Sequence, residues 1–279
     1  MQWRILNDRR QILAIASDKL ASKRYVSSVV SDQTGVVRIP ETLWVGTDPL
    51  ELYALRDRLP ARWVFKPNAS SGRVRMLDGS VQEVDWPELL QTGSLWMRPD
   101  EQTRALGHWG YGVARRLLIA EARIGDGAGA PADLRAHVFA GKIGRLDWSI
   151  GLGTPEHRVA CYLPDLLTRL PVGLSYEVPI GIPTPLDALD ALQRSQIIAA
   201  IEAIADGIDY LRIDGYFHEG CYWFGELTAY TESGLGPITP ALDALAGQNW
   251  QLPNLAEASH GGRCFEDFSH GPEVGSLQA

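Results

Sequence analysis

The chain has 279 residues, 45% of them hydrophobic and 22% charged, enough to build one large domain or two intimate ones around a proper core. Its net charge of −8 excludes a nucleic-acid binder working by bulk electrostatics. No apolar run reaches the roughly 18 residues of a membrane span. The N-terminus, MQWRILNDRRQILAIAS, carries charges through its apolar part and lacks an A-x-A site, so no signal peptide is expected. Cys161, Cys221 and Cys264 are odd in number and far apart. They fit neither a disulfide framework nor a zinc site, and a reducing cytoplasm is the expected setting.

In chain order, residues 17–30 predict a helix capped by Ser17 or Asp18. Short strands are expected at 36–39 and 42–45. A helix is expected over 48–58, with Asp48 as cap and Pro49 in its first turn. WVFKPNASSGRV (63–74) then runs from an apolar strand through a small, hydroxyl-rich loop into Arg73-Val74-Arg75-Met76. Residues 81–107 are mixed and Trp-rich. The run 116–122 predicts a buried strand, and GDGAGAPAD (125–133) a loop. Residues 133–139 and 142–150 predict a hairpin turned at Ala140-Gly141. A long amphipathic helix is expected over 184–206, with Leu189, Leu192, Ile197, Ile201 and Ile204 on its apolar face. Strands and helices mix without strict βαβ alternation, so the class is α+β.

Two stretches carry candidate chemistry. Lys66 ends a strand and precedes Pro67 to Gly72, whose small residues expose backbone N–H groups. A lysine beside such a loop suits a phosphate; a hairpin turn with an exposed lysine is the plain alternative. The second stretch is YLRIDGYFHEGCYWFGELTAYTESG (210–234), two apolar runs about His218-Glu219-Gly220. If the turn centres on Gly220, Asp214 faces Glu226 and Arg212 faces Thr228, all four on one face. Leu211, Ile213, Trp223 and Leu227 then take the core face, and Cys221 is a small filler in the turn. Opposed carboxylates repel, and a divalent cation such as Mg²⁺ removes the repulsion. A register one residue off puts the two acids on opposite, solvated faces.

Taken in order, these pieces resemble the ATP-grasp superfamily, and more closely its TupA-like (teichuronopeptide-type) branch. The resemblance covers residues 18 to about 247. It rests on Asp18-Lys19-Leu20, Val64-Phe65-Lys66-Pro67-Asn68 with Ser71-Gly72, Ile119-Ala120-Glu121, Asp133 with Phe139 and Gly141, Arg212-Ile213-Asp214, and Gly225-Glu226-Leu227-Thr228 with Ser233-Gly234. It implies two α+β subdomains clasping a nucleotide, with a truncated N-terminal substrate domain. The expected division is an N-terminal segment 1–17, subdomains 18–120 and 121–252, and a tail or lid 253–279.

The resemblance also implies roles. Lys19 and Lys66 meet the ATP phosphates; without it, Lys19 is an exposed lysine at a helix start. Asn68 to Gly72, including Ser70 and Ser71, form the mobile phosphate loop. Glu121 is the hinge acid, followed by backbone at Arg123 or Ile124 that pairs with adenine. Asp133 holds the ribose, with Asp126 a competitor. Asp214 and Glu226 ligate Mg²⁺, joined by Thr228, which stands where many ATP-grasp ligases have asparagine. Arg212 stabilises the acyl-phosphate transition state. The implied activity is ATP- and Mg²⁺-dependent joining of a small carboxylate to an amine, of amino-acid or uronic-acid type, in cell-envelope polymer or peptide natural-product synthesis. A phosphotransferase and a glycosyltransferase-associated nucleotide-binding protein are the alternatives. His108, His137 and His157 have no mutual metal spacing, and Asp147-Trp148 has no assigned chemistry.

Overall fold

The computed structural model describes residues 1–30, 35–125, 131–151, 154–171, 176–236, 239–255 and 264–270. Its strands are β1 (Val37–Arg38), β2 (Thr42–Gly46), β3 (Arg62–Pro67), β4 (Arg75–Asp78), β5 (Leu118–Ala122), β6 (Asp133–Phe139), β7 (Lys142–Ile150), β8 (Arg158–Tyr162), β9 (Arg169–Leu170), β10 (Tyr210–His218) and β11 (Cys221–Thr228). The chain divides into two compact units. One holds Gln2–Ser22, Pro40–Arg123 and Gly262–Ala279; the other holds Lys23–Ile39 and Ile124–Gly261.

The first unit is built on an antiparallel four-stranded sheet in the order β2-β5-β3-β4. β3 alternates strictly: Trp63, Phe65 and Pro67 are buried, while Val64 and Lys66 take the other face. Trp63 and Phe65 pack with Leu43, Leu52, Leu118 and Ala120, and with Trp86 and Leu89 of helix Trp86–Trp96. That helix is cut from the mixed Trp-rich stretch by Asp85, whose carboxylate accepts from the Glu88 N–H, and by a proline in its first turn. Helices Gln2–Asn7 and Gln11–Ser17 begin the unit, the second buried from Ile12 to Ser17.

The second unit carries a seven-stranded sheet in the order β1-β11-β10-β6-β7-β8-β9. Only the β1–β11 pair is parallel. The expected hairpin at Ala140-Gly141 is present between β6 and β7, with both turn residues at positive φ.

Three expected helices change at their ends. The 17–30 helix runs Lys19–Val30, and Asp18 caps it by accepting from the Ala21 N–H at 2.8 Å. The 48–58 helix is Pro49–Ala54 followed by a 3₁₀ turn, Arg56–Arg58. The 184–206 helix is broken. A 3₁₀ turn at Pro185–Ala188 gives way to extended backbone at Leu189, and the α-helix Ala191–Ile204 starts afresh from Asp190. Thr184 with Asp187 and Asp190 with Gln193 each form a reciprocal cap, which pins two starts where periodicity shows one. The break rotates Leu192 out to solvent, 65% exposed, while Leu189, Ile197, Ile201 and Ile204 stay buried.

Candidate functional site

The predicted residues fall into one cluster in each unit. In the first unit, Val64 of β3 pairs directly with Glu121 of β5, so Lys66 and Glu121 share a face as diagonal neighbours. Their side chains form an ion pair and are 12% and 8% exposed. The loop after Lys66 is anchored at its root and open at its tip. Asn68 is fully buried. Its Oδ1 accepts from the Leu20 N–H at 3.0 Å, and its Nδ2 donates to the Arg115 carbonyl at 2.8 Å. The Lys19 ammonium donates to the Ser70 carbonyl. Ser70 is buried, whereas Ser71 and Gly72 are exposed. Asn68 therefore fastens the loop to the start of helix Lys19–Val30, and the exposed tip is Ser71-Gly72. Arg123 turns its guanidinium to Asp78 at 3.1 Å, which leaves only its backbone for other work.

The sequence named Asp18 as a candidate cap of this helix but gave no sign of its partner, Arg115. Asp18 receives the Arg115 guanidinium as a fork, at 2.8 and 2.7 Å, and the Arg115 N–H at 3.0 Å. Burial works to raise the Asp18 pKa, but the Arg115 contacts bring it below the ordinary carboxylate value. Asp18 and Arg115 stand 97 residues apart.

In the second unit, β10 and β11 form the expected hairpin, and the register at its far end is the expected one: Arg212 opposite Thr228, Asp214 opposite Glu226. The route to it differs. The turn is the two-residue Glu219-Gly220, both at positive φ, with His218 opposite Cys221. That turn alone would set Asp214 against Gly225. A β-bulge between Asp214 and Gly215 absorbs Gly225 and restores the pairing. The faces on the turn side of the bulge are therefore exchanged. Tyr222 and Phe224 are buried, and Trp223 lies opposite Tyr216, under the Arg38 guanidinium rather than in the core. Cys221 belongs to β11, not to the turn. Gly215 cannot carry a side chain here, since a Cβ would stand 2.4 Å from the Tyr222 ring.

Arg212 grips Asp214 with two hydrogen bonds, Nε to Oδ1 at 2.7 Å and Nη2 to Oδ2 at 2.6 Å. The Thr228 hydroxyl donates to Asp214 Oδ2 at 3.1 Å. Burial opposes the Arg212 charge, but Asp214 outweighs it and holds the guanidinium pKa above its ordinary value. Asp133 lies on β6 opposite Tyr216 and receives Arg135 at 2.6 Å. Burial raises its pKa, Arg135 opposes that, and the charges of Asp214 and Glu226 push it up further. Its competitor for the ribose role, Asp126, lies outside the described residues. Asp214, Glu226 and Thr228 form an all-oxygen donor set of the kind Mg²⁺ takes. Among the described residues, no group of three or more His, Cys, Asp and Glu stands at metal-holding distances.

The same sheet face continues as a polar layer that the sequence did not reveal. His137 pairs with Arg212 across β6 and β10. It sits between the Tyr210 hydroxyl and Asp147 Oδ2, both at 3.2 Å. Asp147 also receives Arg145 at 3.2 Å and the Cys161 thiol at 3.0 Å. Burial lowers the His137 pKa, aided by Arg145 and Arg212 and opposed by Asp147. Asp147 is thus the hub of a buried network. His157 joins Ser149 at 3.0 Å, well apart in sequence from His108, which burial holds low in pKa.

A lysine-bearing four-stranded antiparallel sheet and a larger sheet carrying an acidic hairpin define an ATP-grasp protein. Residues 1–249 match the TupA-like ATPgrasp family, and the chain belongs to it. No curated protein matches the chain. Among solved structures, the chain is similar to an ADP complex of PurK, N5-carboxyaminoimidazole ribonucleotide synthetase, at 11% identity and TM-score 0.50, over 86% of this chain and 52% of that one. It is similar to D-alanine–D-alanine ligase from Bacillus anthracis at 15% identity and TM-score 0.43, over 93% of this chain and 67% of that one. It is also similar to the ATP-grasp ligase PsnB, solved with a precursor variant, Mg and ADP, at 15% identity and TM-score 0.42, over 85% and 60%. The chain thus spans less than two-thirds of PurK and PsnB. At 11% identity the likeness to PurK shows the fold alone.

Proposed function

We propose that the protein is an ATP- and Mg²⁺-dependent carboxylate–amine ligase, forming an amide through an acyl phosphate. The observation that carries this reading is the hairpin face on which Arg212, Asp214, Glu226 and Thr228 meet in register. The family membership and a fold relative solved with ADP support it.

In this reading ATP phosphorylates a carboxylate, of amino-acid or uronic-acid type, and the amine of an amino acid or peptide attacks the acyl phosphate. The products are the amide, ADP and phosphate. Arg212, kept charged, stabilises the negative charge that develops on the phosphoryl group. Asp214, Glu226 and the Thr228 hydroxyl hold Mg²⁺, which supplies charge neutralisation on that group. Lys66 and Lys19 meet the phosphates as point charges, and the Ser71-Gly72 tip offers backbone N–H groups to the same anion. Glu121 orients Lys66, backbone at Arg123 or Ile124 takes adenine, and Asp133 the ribose. Three free cysteines suit a reducing, ATP-supplied compartment, the cytoplasm.

The test is ADP release across a small matrix of acids and amines, with hydroxylamine added to trap acyl phosphate. The ligase reading expects a hydroxamate from the reactive acid and an amide once the amine is present. ADP release with a stable phosphorylated hydroxyl and no hydroxamate would assign a phosphotransferase instead.

A further inference from the structure

A cavity of about 500 Å³ lies in the unit of the four-stranded sheet. Arg9, Arg73, Arg98, Arg104 and Arg116 line it, with Asp100 as its one acid. Four net positive charges thus gather in one hollow of a chain whose net charge is −8. Arg73 is the arginine that meets Asp100, at 3.3 Å. Arg9 donates to the carbonyls of Ile5, Leu6 and Asp8. Arg98, Arg104 and Arg116 are exposed and form no ion pair with any described residue. Like charges crowded into a concave surface repel, and folding alone does not call for them. Their planar forks match carboxylates in a bidentate way.

Five guanidinium forks carry more donors than the two oxygens of a single carboxylate can accept, so one carboxylate cannot satisfy them together. Trp96, Trp109 and Tyr111 add apolar wall for the body of a ligand. The volume falls within the range of small-molecule pockets. Pro67 and Ala69 are among its lining residues, but Lys19, Lys66 and Glu121 are not. The cavity therefore adjoins the loop after Lys66 without using the groups assigned to nucleotide.

We propose that this cavity binds a compact ligand carrying two or more carboxylates, and that it is the seat of the carboxylate substrate. The substrate role rests on the ligase reading; the binding does not. Tri-glutamate and tri-glutamine provide probes of equal size that differ in charge. Calorimetry on the full chain without nucleotide should show tri-glutamate binding at least about tenfold more tightly than tri-glutamine. Arg98→Ala, Arg104→Ala and Arg116→Ala should each weaken it by about tenfold. Because these residues are exposed, Tm and Mg·ADP affinity should not change. Rising salt should weaken the complex. Equal binding of the two peptides, or unchanged affinity in all three variants, would overturn the proposal. Binding of tripolyphosphate with none of tri-glutamate would overturn the carboxylate assignment. Tri-glutamate binding by a chain that fails to bind Mg·ATP would uphold the cavity and overturn the ligase reading.

Discussion

On the four-stranded sheet, Lys66 of β3 meets Glu121 of β5, a cation beside an anion. On the seven-stranded sheet, Asp214 of β10 stands opposite Glu226 of β11, an anion beside an anion, with Arg212 and Thr228 turned toward Asp214. Both pairs sit on neighbouring strands and share a sheet face. The first needs no ligand, because the charges answer each other. The second gains nothing from folding, because directly opposed like charges destabilise a sheet. The contrast separates a pair whose charges answer each other from a pair that, in the reading proposed above, takes a cation, and substitutions can break it on either side.

The largest effect is expected at the bulge. Gly225 is the extra residue that brings Glu226 opposite Asp214, and a Cβ there would stand 3.0 Å from the Asp214 carbonyl. Gly225→Val favours a regular ladder, in which Glu226 turns toward the core and Asp214 faces the valine. Metal-dependent turnover should disappear, and stability should fall by about 1–3 kcal/mol in urea unfolding. Deleting Gly225 should do less harm, because Phe224 and Glu226 then alternate in an unbroken strand with the same partners. A deletion variant less active than Gly225→Val would contradict this account of the register.

Next come the facing acids. Glu226→Gln keeps the volume and removes one charge. Turnover should fall by orders of magnitude, while Tm holds or rises slightly as the repulsion goes. Asp214→Asn should also abolish turnover but lose about 3 kcal/mol, because it strips the largely buried Arg212 of its charged partner. Equal Tm changes in the two variants would erase the distinction between them. On the other sheet, Lys66→Ala should weaken ATP·Mg²⁺ binding by about tenfold to a hundredfold in calorimetry. It should also lower Tm, since Glu121 is left buried beside no lysine. Wild-type affinity with a lowered Tm would make Lys66 purely structural.

Much of this was legible in the chain. The apolar run Trp63-Val64-Phe65 placed Lys66 at the end of a strand, and two apolar runs about Gly220 placed the acids. The register was anticipated from the wrong turn centre, and the bulge made up the difference. The signals for both were present: Glu219-Gly220 suits a two-residue turn, and a glycine inside a strand marks a bulge. The double capping boxes at 184–193 were equally readable. The Asp18–Arg115 fork and the Asp147 hub were not. Their partners lie far apart in sequence or on three different strands, and no local pattern of charge or apolarity announces such a pairing.

The smallest effect concerns that hub. Unfolded, His137 takes up a proton as pH falls through its ordinary 6.5; folded, burial delays uptake to lower pH. The unfolded state then binds more protons, so stability declines as pH drops below that value, by at most about 1.4 kcal/mol per pH unit for one group. A second decline should begin near pH 4. There Asp18 and Asp147, both held low in the folded state, gain protons only on unfolding. His137→Gln cannot titrate. Whatever it costs in absolute stability, its urea midpoint should fall less steeply than the parent's between pH 6.5 and 5, where buried His108 alone of the two histidines still takes up its proton on unfolding, and should follow the parent below 4. Parallel profiles for the variant and the parent would mean that His137 is not what the acid limb reports, and that the polar layer beside Arg212 is open to water.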